Sequence, residues 1–335
     1  MKKKKIGILT FHDADNLGAV LQAYALKTVI EKDCGAVAEI IDYKCNKITE
    51  TKYVQKGSGL KNLIKYIPVS VYYYIKRRSF MKFRNGKLGC SEASYTKENI
   101  KKTESDYDIF ITGSDQIWNP ECSGDDYTYL LDFVSDNSKK YSYAASIGNY
   151  DISKAGSKWL ELIKDYSGIS VRENSAYEQL EACGISNVKV HADPVMLLSQ
   201  EDWKSVMSEP IIKEKYVLVY MVLPDVNVMK KATEYAKKHN CKVISNKTSL
   251  EFILHNSPSE FLSWIYNADY VFTNSFHGTA FSLILNKKFF SDTEMVGGGI
   301  NKRVVDLLEA AKTDNSIELM KNSALEYLKE ICKSS

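Results

Sequence analysis

Residues 5–30 read K-I-G-I-L-T-F-H-D-A-D-N-L-G-A-V-L-Q-A-Y-A-L-K-T-V-I. The opening K-I-G-I-L-T-F is a continuous apolar run, the composition of a strand buried on both faces of a parallel sheet. H-D-A-D-N-L-G is turn chemistry, and the following A-V-L-Q-A-Y-A-L-K-T-V-I repeats its apolar residues at helical spacing. The pattern recurs. V-A-E-I-I-D-Y, D-Y-D-I-F-I-T, K-Y-S-Y-A-A-S-I-G, S-G-I-S-V-R-E and V-K-V-H-A-D-P-V read as further strands, each passing into Gly, Ser, Asp, Asn or Arg at its carboxyl end. Beyond a polar helical stretch at residues 199–213 a second series begins. K-Y-V-L-V-Y-M-V, C-K-V-I-S-N, A-D-Y-V-F-T-N-S and K-K-F-F are its strands, and residues 227–239, 258–267 and 279–286 its helices. The expected fold is α/β, with two Rossmann-like domains facing a central cleft. The expected boundaries are 1–205 with a basic aromatic insertion near 51–91, 206–315, and a C-terminal helix and tail over 316–335. Ligands of doubly wound sheets bind outside the carboxyl ends of the strands, so the polar loops are the places to look for chemistry.

The bulk composition fits this picture. At 335 residues with 44% hydrophobic and 26% charged side chains, the chain is long enough for two ordinary domains and too apolar for disorder. The apolar stretch after M-K-K-K-K is too short for a signal peptide and meets His12 and Asp13 at once. Seven scattered cysteines, with no C-x-x-C pair, read as reduced thiols rather than a disulfide framework or zinc site. Localisation is therefore expected to be cytoplasmic.

Charge is unevenly spread. Residues 51–91 hold ten Lys or Arg and no Asp or Glu; subtracting these ten from the net +3 leaves −7 for the remainder. Within this block, residues 59–84 interleave aromatic and aliphatic side chains with basic clusters. Such a segment suits peripheral contact with an anionic membrane through residues 60–84, at the inner membrane face. It equally suits an insertion helix that packs its Tyr and Ile on the core and turns its lysines to solvent. Nucleic acid is disfavoured as a partner, because the rest of the chain is acidic and no nucleic-acid fold signature is present.

G-x-G-x-x-G, G-x-x-x-x-G-K-[ST], H-E-x-x-H and G-x-S-x-G are all absent from the sequence, so NAD, P-loop, zincin and α/β-hydrolase chemistry lack their usual signatures. Asp13-Ala14-Asp15 has the form of a metal-binding D-x-D, yet beside Asn16 and Gly18 it is equally an ordinary turn. No metal and no cofactor are called for.

Six segments taken together resemble the polysaccharide pyruvyl transferase family: F-H-D-A-D-N-L-G-A-V-L-Q-A, D-I-F-I-T-G-S-D-Q-I-W, Y-S-Y-A-A-S-I-G, I-S-V-R-E-N-S, H-A-D-P-V-M-L-L and T-N-S-F-H-G-T-A-F-S. They follow in order over positions 8–285 and leave out the basic insertion and the tail. The resemblance implies a glycosyltransferase-B-like pair of Rossmann-type domains, and transfer of the enolpyruvyl unit of phosphoenolpyruvate onto two hydroxyls of a sugar, giving a cyclic ketal and phosphate. Acceptors in the family are bacterial surface glycans or their precursors, often on a lipid carrier. It places the essential histidine on His277, and an imidazole can give and take a proton near neutral pH. A satisfied structural histidine at a strand end is the alternative. Gly278 would let the backbone approach a ligand, and the helix that follows offers its N–H groups to an anion.

Arg172 matches a family arginine at a strand end, where a guanidinium could grip phosphate or carboxylate; an ion pair with Glu173 or Asp193 is the other reading. The family's arginine two positions before the histidine is Ser275 here, and Arg303, after G-G-G-I-N-K, is the expected replacement. Asn16, Gly18 and Gln22 follow the first strand, and Gly113, Ser114, Asp115 and Gln116 another. Asp115 could deprotonate an acceptor hydroxyl or cap a helix beginning near Gln116. Trp118 could stack on a sugar or lie buried. His12, His191 and Asp193 are loop-placed, whereas His239 and His255 read as surface residues. Two rivals share the architecture: a nucleotide-sugar glycosyltransferase, and a non-catalytic protein that binds glycans or anions.

Overall fold

Parallel strands dominate the computed structural model of the chain, which describes residues 3–50, 60–294, 301–312 and 316–334. The first half of the chain contains β1 (Lys5–Leu9), α1 (Leu17–Asp33), β2 (Val37–Tyr43), α2 (Asn46–Glu50), α3 (Leu60–Phe83), β3 (Cys90–Tyr95), β4 (Ile109–Thr112), α4 (Pro120–Ser123), β5 (Lys140–Ser142) and α5 (Ser157–Lys164). It continues with β6 (Ile169–Val171), α6 (Asn174–Ala182), β7 (Val188–Val190) and α7 (Gln200–Lys204). The second half contains β8 (Tyr216–Tyr220), α8 (Val226–His239), β9 (Lys242–Ser245), α9 (Leu250–Leu254), α10 (Pro258–Asn267), β10 (Tyr270–Thr273), α11 (Phe276–Ile284), β11 (Phe289–Ser291), α12 (Lys302–Ala310) and α13 (Ser316–Lys333).

Two units divide the chain. The first comprises residues 1–55, 84–197 and 319–335, and the second residues 56–83 and 198–318. Segment 56–83 of the basic insertion therefore groups with the second unit, not with the N-terminal domain that encloses it in sequence, and the C-terminal helix belongs largely to the first.

In the first unit the sheet order is β3-β2-β1-β4-β5, all parallel, the doubly wound order. Bridges from Tyr141 to Gly168 and from Ala145 to Val171 carry the arrangement on to the parallel pair β6-β7. Strand β4 is buried at every residue, as its unbroken I-F-I-T predicts. Helix α1 is apolar nearly all round in its first turns and buries Leu17 to Ala23, Ala25, Leu26, Val29 and Ile30, with only its charged end, Glu31 to Asp33, exposed. In the second unit the order is β11-β10-β8-β9, again all parallel. Helix α8 lays Val228, Ala232 and Ala236 along one stripe against Val217, Val219 and Phe272. Both units are thus Rossmann-like. All seven cysteines are free thiols.

Helix α13 closes the first unit over a buried histidine. The Tyr327 ring stacks on His191 at 4.7 Å, with Tyr143 beyond at 6.0 Å, and the Tyr327 hydroxyl donates to the Ser142 carbonyl oxygen at 3.1 Å. His191 Nδ1 lies 2.8 Å from Ser170 Oγ. Burial, aided by Lys189 and opposed by Glu330, lowers the His191 pKa to about 4. The unfolded chain, with a histidine pKa near ~6.5, therefore binds this proton more tightly than the native protein does. The neutral ring's contribution is complete above about pH 6.5 and is lost as the pH falls toward about 4, by up to about 3 kcal/mol. Urea midpoints measured from pH 7 down to pH 4.5 are expected to fall for the native sequence and to fall less steeply for His191→Gln.

Candidate active site

The strand order of the first unit reverses between β1 and β4, so the loops after these strands flank its topological switch point. Asn16 is exposed and caps α1, its Oδ1 accepting from Ala19 N at 3.2 Å. Gly18 is buried in the first turn of the helix. Gln22 is fully buried; its Nε2 donates to Thr10 Oγ1 and to the Ala19 carbonyl oxygen, both at 2.8 Å, and its Oε1 accepts from Ser114 N at 3.0 Å. Ser114 is also buried, with Oγ donating to the Ala144 carbonyl oxygen at 2.7 Å. Gln22 and Ser114 therefore tie the two loops together from beneath. The loop after β4 turns at Gly113, where φ is +123° and an added Cβ would stand 2.1 Å from the Tyr143 carbonyl oxygen; no side chain fits there.

Asp115 and Gln116 are half-buried at the rim, and Asp115 Oδ1 accepts from Gln116 N at 2.8 Å. No helix begins near Gln116: α4 starts at Pro120 under an Asn119 cap, so the capping alternative for Asp115 is not what the fold uses. Nor is Trp118 a sugar platform. It is buried edge-on against Trp159 and Tyr166, at 6.2 and 5.6 Å.

The loop after β1 has a partner that sequence reading assigned elsewhere. Arg84 directly follows α3 and is buried. Its Nε donates to the His12 carbonyl oxygen at 2.9 Å, and its Nη2 donates to the Ala14 carbonyl oxygen at 2.6 Å and to Asp15 Oδ1 at 2.8 Å. Asp13 lies 3.7 Å from Arg84 Nη1 and 3.5 Å from Lys44 Nζ. The D-x-D carboxylates thus face cations of the chain itself. Among the described residues no cluster of three or more His, Cys, Asp or Glu is placed to hold a metal ion. His12 Nε2 contacts Asp42 Oδ1 at 2.9 Å. Burial raises the Asp42 pKa, but hydrogen bonds from His12, Lys44 and Ser94 outweigh it and hold this carboxyl well below its usual range. The signal for Arg84 was its helical spacing: Phe80, Phe83 and Arg84 share the buried side.

Arg172, at the end of β6, is buried between two carboxylates. Its Nε donates to Glu173 Oε1 at 3.0 Å and its Nη1 to Asp193 Oδ2 at 2.7 Å. Burial works against its charge, yet Glu173, Asp193 and Asp115 keep the guanidinium protonated, above its ordinary value. Ser146 Oγ donates to Glu173 Oε1 at 2.6 Å. Both ion pairs named as the alternative to a donor clamp are present together.

In the second unit the order reverses between β8 and β10. His277, half-buried, is the second residue of α11, which begins just past the end of β10. Ser275, where the family places an arginine, is the helix cap: its Oγ accepts from Gly278 N at 3.3 Å, and its own N donates to Thr273 Oγ1 at 3.0 Å. A Cβ on Gly278 would meet Thr273 Oγ1 at 2.4 Å and the Tyr220 ring at 3.1 Å. The glycine is required because the helix is pressed onto the strand ends.

Beside His277 the loop after β8 is held by two asparagines that sequence reading passed over, each directly following a strand. Asn274 accepts from Val222 N at 2.9 Å and donates to the Leu223 carbonyl oxygen at 3.0 Å; Asn246 does both with Met221 at 2.9 Å. Arg303 is the second residue of α12, half-buried, and α12 packs against α11. Gly297 to Gly299 lie outside the described residues.

Two doubly wound units, each with its polar residues at a switch point, define an α/β protein built of two Rossmann-like units. The model of the polysaccharide pyruvyl transferase family matches residues 16–291, and the chain belongs to that family of transferases. Among solved structures it is similar to the UDP-GlcNAc 2-epimerase from Neisseria meningitidis bound to UDP-GlcNAc, at 11% identity and TM-score 0.46 over 98% of this chain and 99% of that one. It is similar also to the UDP-GlcNAc 2-epimerase from Methanocaldococcus jannaschii, at 14% identity and TM-score 0.46 over 96% and 93%. No curated protein matches the chain in sequence.

Removing the Arg172 guanidinium strands two buried carboxylates. Arg172→Met is expected to lower stability by about 3–5 kcal/mol, the range for breaking a buried ion pair from one side. Urea denaturation at pH 7 measures this, and an unchanged midpoint would show the cluster to be energetically idle.

Proposed function

We propose that the protein moves the enolpyruvyl group of phosphoenolpyruvate onto two hydroxyls of a sugar in a surface-polysaccharide precursor. The observation that carries this reading is His277 at the start of α11, half-buried beside the carboxyl end of β10, in a chain of the pyruvyl transferase family.

In the proposed reaction His277 delivers a proton to the methylene carbon of the donor, which becomes a methyl group. Positive charge develops at C2, the first sugar hydroxyl attacks there, and the bond from C2 to the phosphate oxygen breaks. The second hydroxyl closes the ketal. Of the two hydroxyl protons, one replaces the proton spent by the imidazole and the other leaves with phosphate. Asp115, at the first unit's rim, is assigned to orient or deprotonate an acceptor hydroxyl. Asn16, Gly18 and the Gly113–Gln116 loop are assigned to the acceptor side, with Gln22 and Ser114 acting from beneath by holding the loops. Arg303 is assigned to the donor's acidic groups. A clamp through Arg172 would require it to exchange Glu173 or Asp193 for the donor. No resident cofactor enters the scheme. Among the described residues no helix is long and apolar enough to cross a membrane, and we place the reaction in the cytoplasm, where phosphoenolpyruvate is made.

Loss of one general acid/base typically lowers turnover by about 10²–10⁴-fold. His277→Ala is expected to reduce phosphate release from phosphoenolpyruvate, with an acceptor present, by that range. Release of nucleoside diphosphate from a nucleotide sugar would favour a glycosyltransferase instead. No turnover of either donor would favour a glycan- or anion-binding protein.

A further inference from the structure

The described part of α3, from Ser70 onward, has two unlike faces. Phe80 and Phe83 are buried, and the helix packs against α9 and α10 of its own unit. The opposite side keeps large apolar side chains in water: Val71 is 51% exposed, Tyr74 66% and Met81 44%. Val71, Tyr74, Arg78, Met81 and Lys82 recur at helical spacing and share this outer face, with Arg78 and Lys82 exposed among them. A helix that turned only its lysines to solvent would show no such row. Next to it, α9 exposes Leu250 and Leu254, at 64% and 43%.

We infer that this outer face of α3 is a docking surface for an anionic lipid bilayer. Tyrosine and short aliphatic groups suit the headgroup boundary, where one end of a ring is apolar and the other wet. Arginine and lysine on the same face supply attraction to acidic lipid. The charge balance sets the orientation: residues 51–91 contain ten cations and no carboxylate, while the remaining chain carries −7. An acidic bilayer therefore repels the body of the protein and attracts this helix. A patch mixing apolar groups with a single sign of charge fits a lipid surface better than a second copy of the chain, since two such faces would repel each other.

Full-length protein sedimented with vesicles of phosphatidylcholine and phosphatidylglycerol, three parts to one, tests this without any turnover, so the outcome is separate from that of the proposed reaction. Binding is expected to these vesicles at about 0.1 M salt, little to phosphatidylcholine alone, and weaker binding at about 1 M salt as the Debye length shrinks from ~10 to ~3 Å. The double variant Arg78→Glu/Lys82→Glu is expected to weaken partitioning at least about tenfold. Val71→Ser/Tyr74→Ser is expected to weaken it several-fold at either salt. All four positions are exposed, and circular dichroism checks that the variants fold. Absence of binding to the anionic vesicles, or binding unchanged in both variants, overturns the inference. Concentration-dependent self-association abolished by the same substitutions also overturns it, by assigning the face to a second copy of the chain.

Discussion

A helix can begin where α11 begins only because residue 278 has no side chain. The strand β10 ends at Thr273, its hydroxyl bonded to the Tyr220 carbonyl oxygen at 2.6 Å, and the helix starts three residues on at Phe276. A methyl group at 278 would stand 2.4 Å from that hydroxyl, well inside any tolerable contact. The cap at Ser275, bonded forward to Gly278 N and back to Thr273 Oγ1, fixes the turn from strand to helix within a few residues. His277 is delivered to the switch point by this packing, and its place does not depend on a flexible loop.

The first unit prepares its rim by different means. Here the polar side chains are mostly turned to one another: Gln22 and Ser114 bridge two loops, Arg84 gathers the loop after β1, and Arg172 joins Glu173 to Asp193. Buried networks of this kind hold loop geometry through several charge-assisted bonds at once. Their effect is to leave a small set of side chains at the rim itself, Asn16, Asp115 and Gln116, standing on a rigid base. Such a division suits chemistry in which a polyhydroxylated acceptor must be held in one orientation while charge develops elsewhere.

The fold was legible in sequence where the strands are buried on both faces. I-F-I-T and Y-V-L-V-Y announce themselves, and the stripe of Val228, Ala232 and Ala236 fixes α8. Strand β3 was not anticipated. C-S-E-A-S-Y is polar and half-exposed because it lies at the sheet's edge, where burial no longer selects composition. The grouping of segment 56–83 with the second unit was equally hidden, since it depends on long-range packing. At the candidate site, the placement of His277, Asp115 and Asn16 just past strand ends could be read from the sequence, but partners could not. Arg172 and Gln22 look like ligand-facing groups until their buried hydrogen bonds are known. Arg84 looks like one more cation of a basic helix until its carbonyl partners are seen.

The role given to the imidazole makes a demand on the product's hydrogens. If His277 hands a solvent-exchangeable proton to the donor's methylene carbon, the reaction run in D₂O with a sugar acceptor that supports phosphate release must place one deuterium in the new ketal methyl group. Mass spectrometry or proton NMR of the isolated product reads this. One deuterium per methyl group, lost together with product formation in His277→Ala, is the expected result. A ketal whose methyl group carries no deuterium, or full product formation by the alanine variant, contradicts proton delivery from the start of α11.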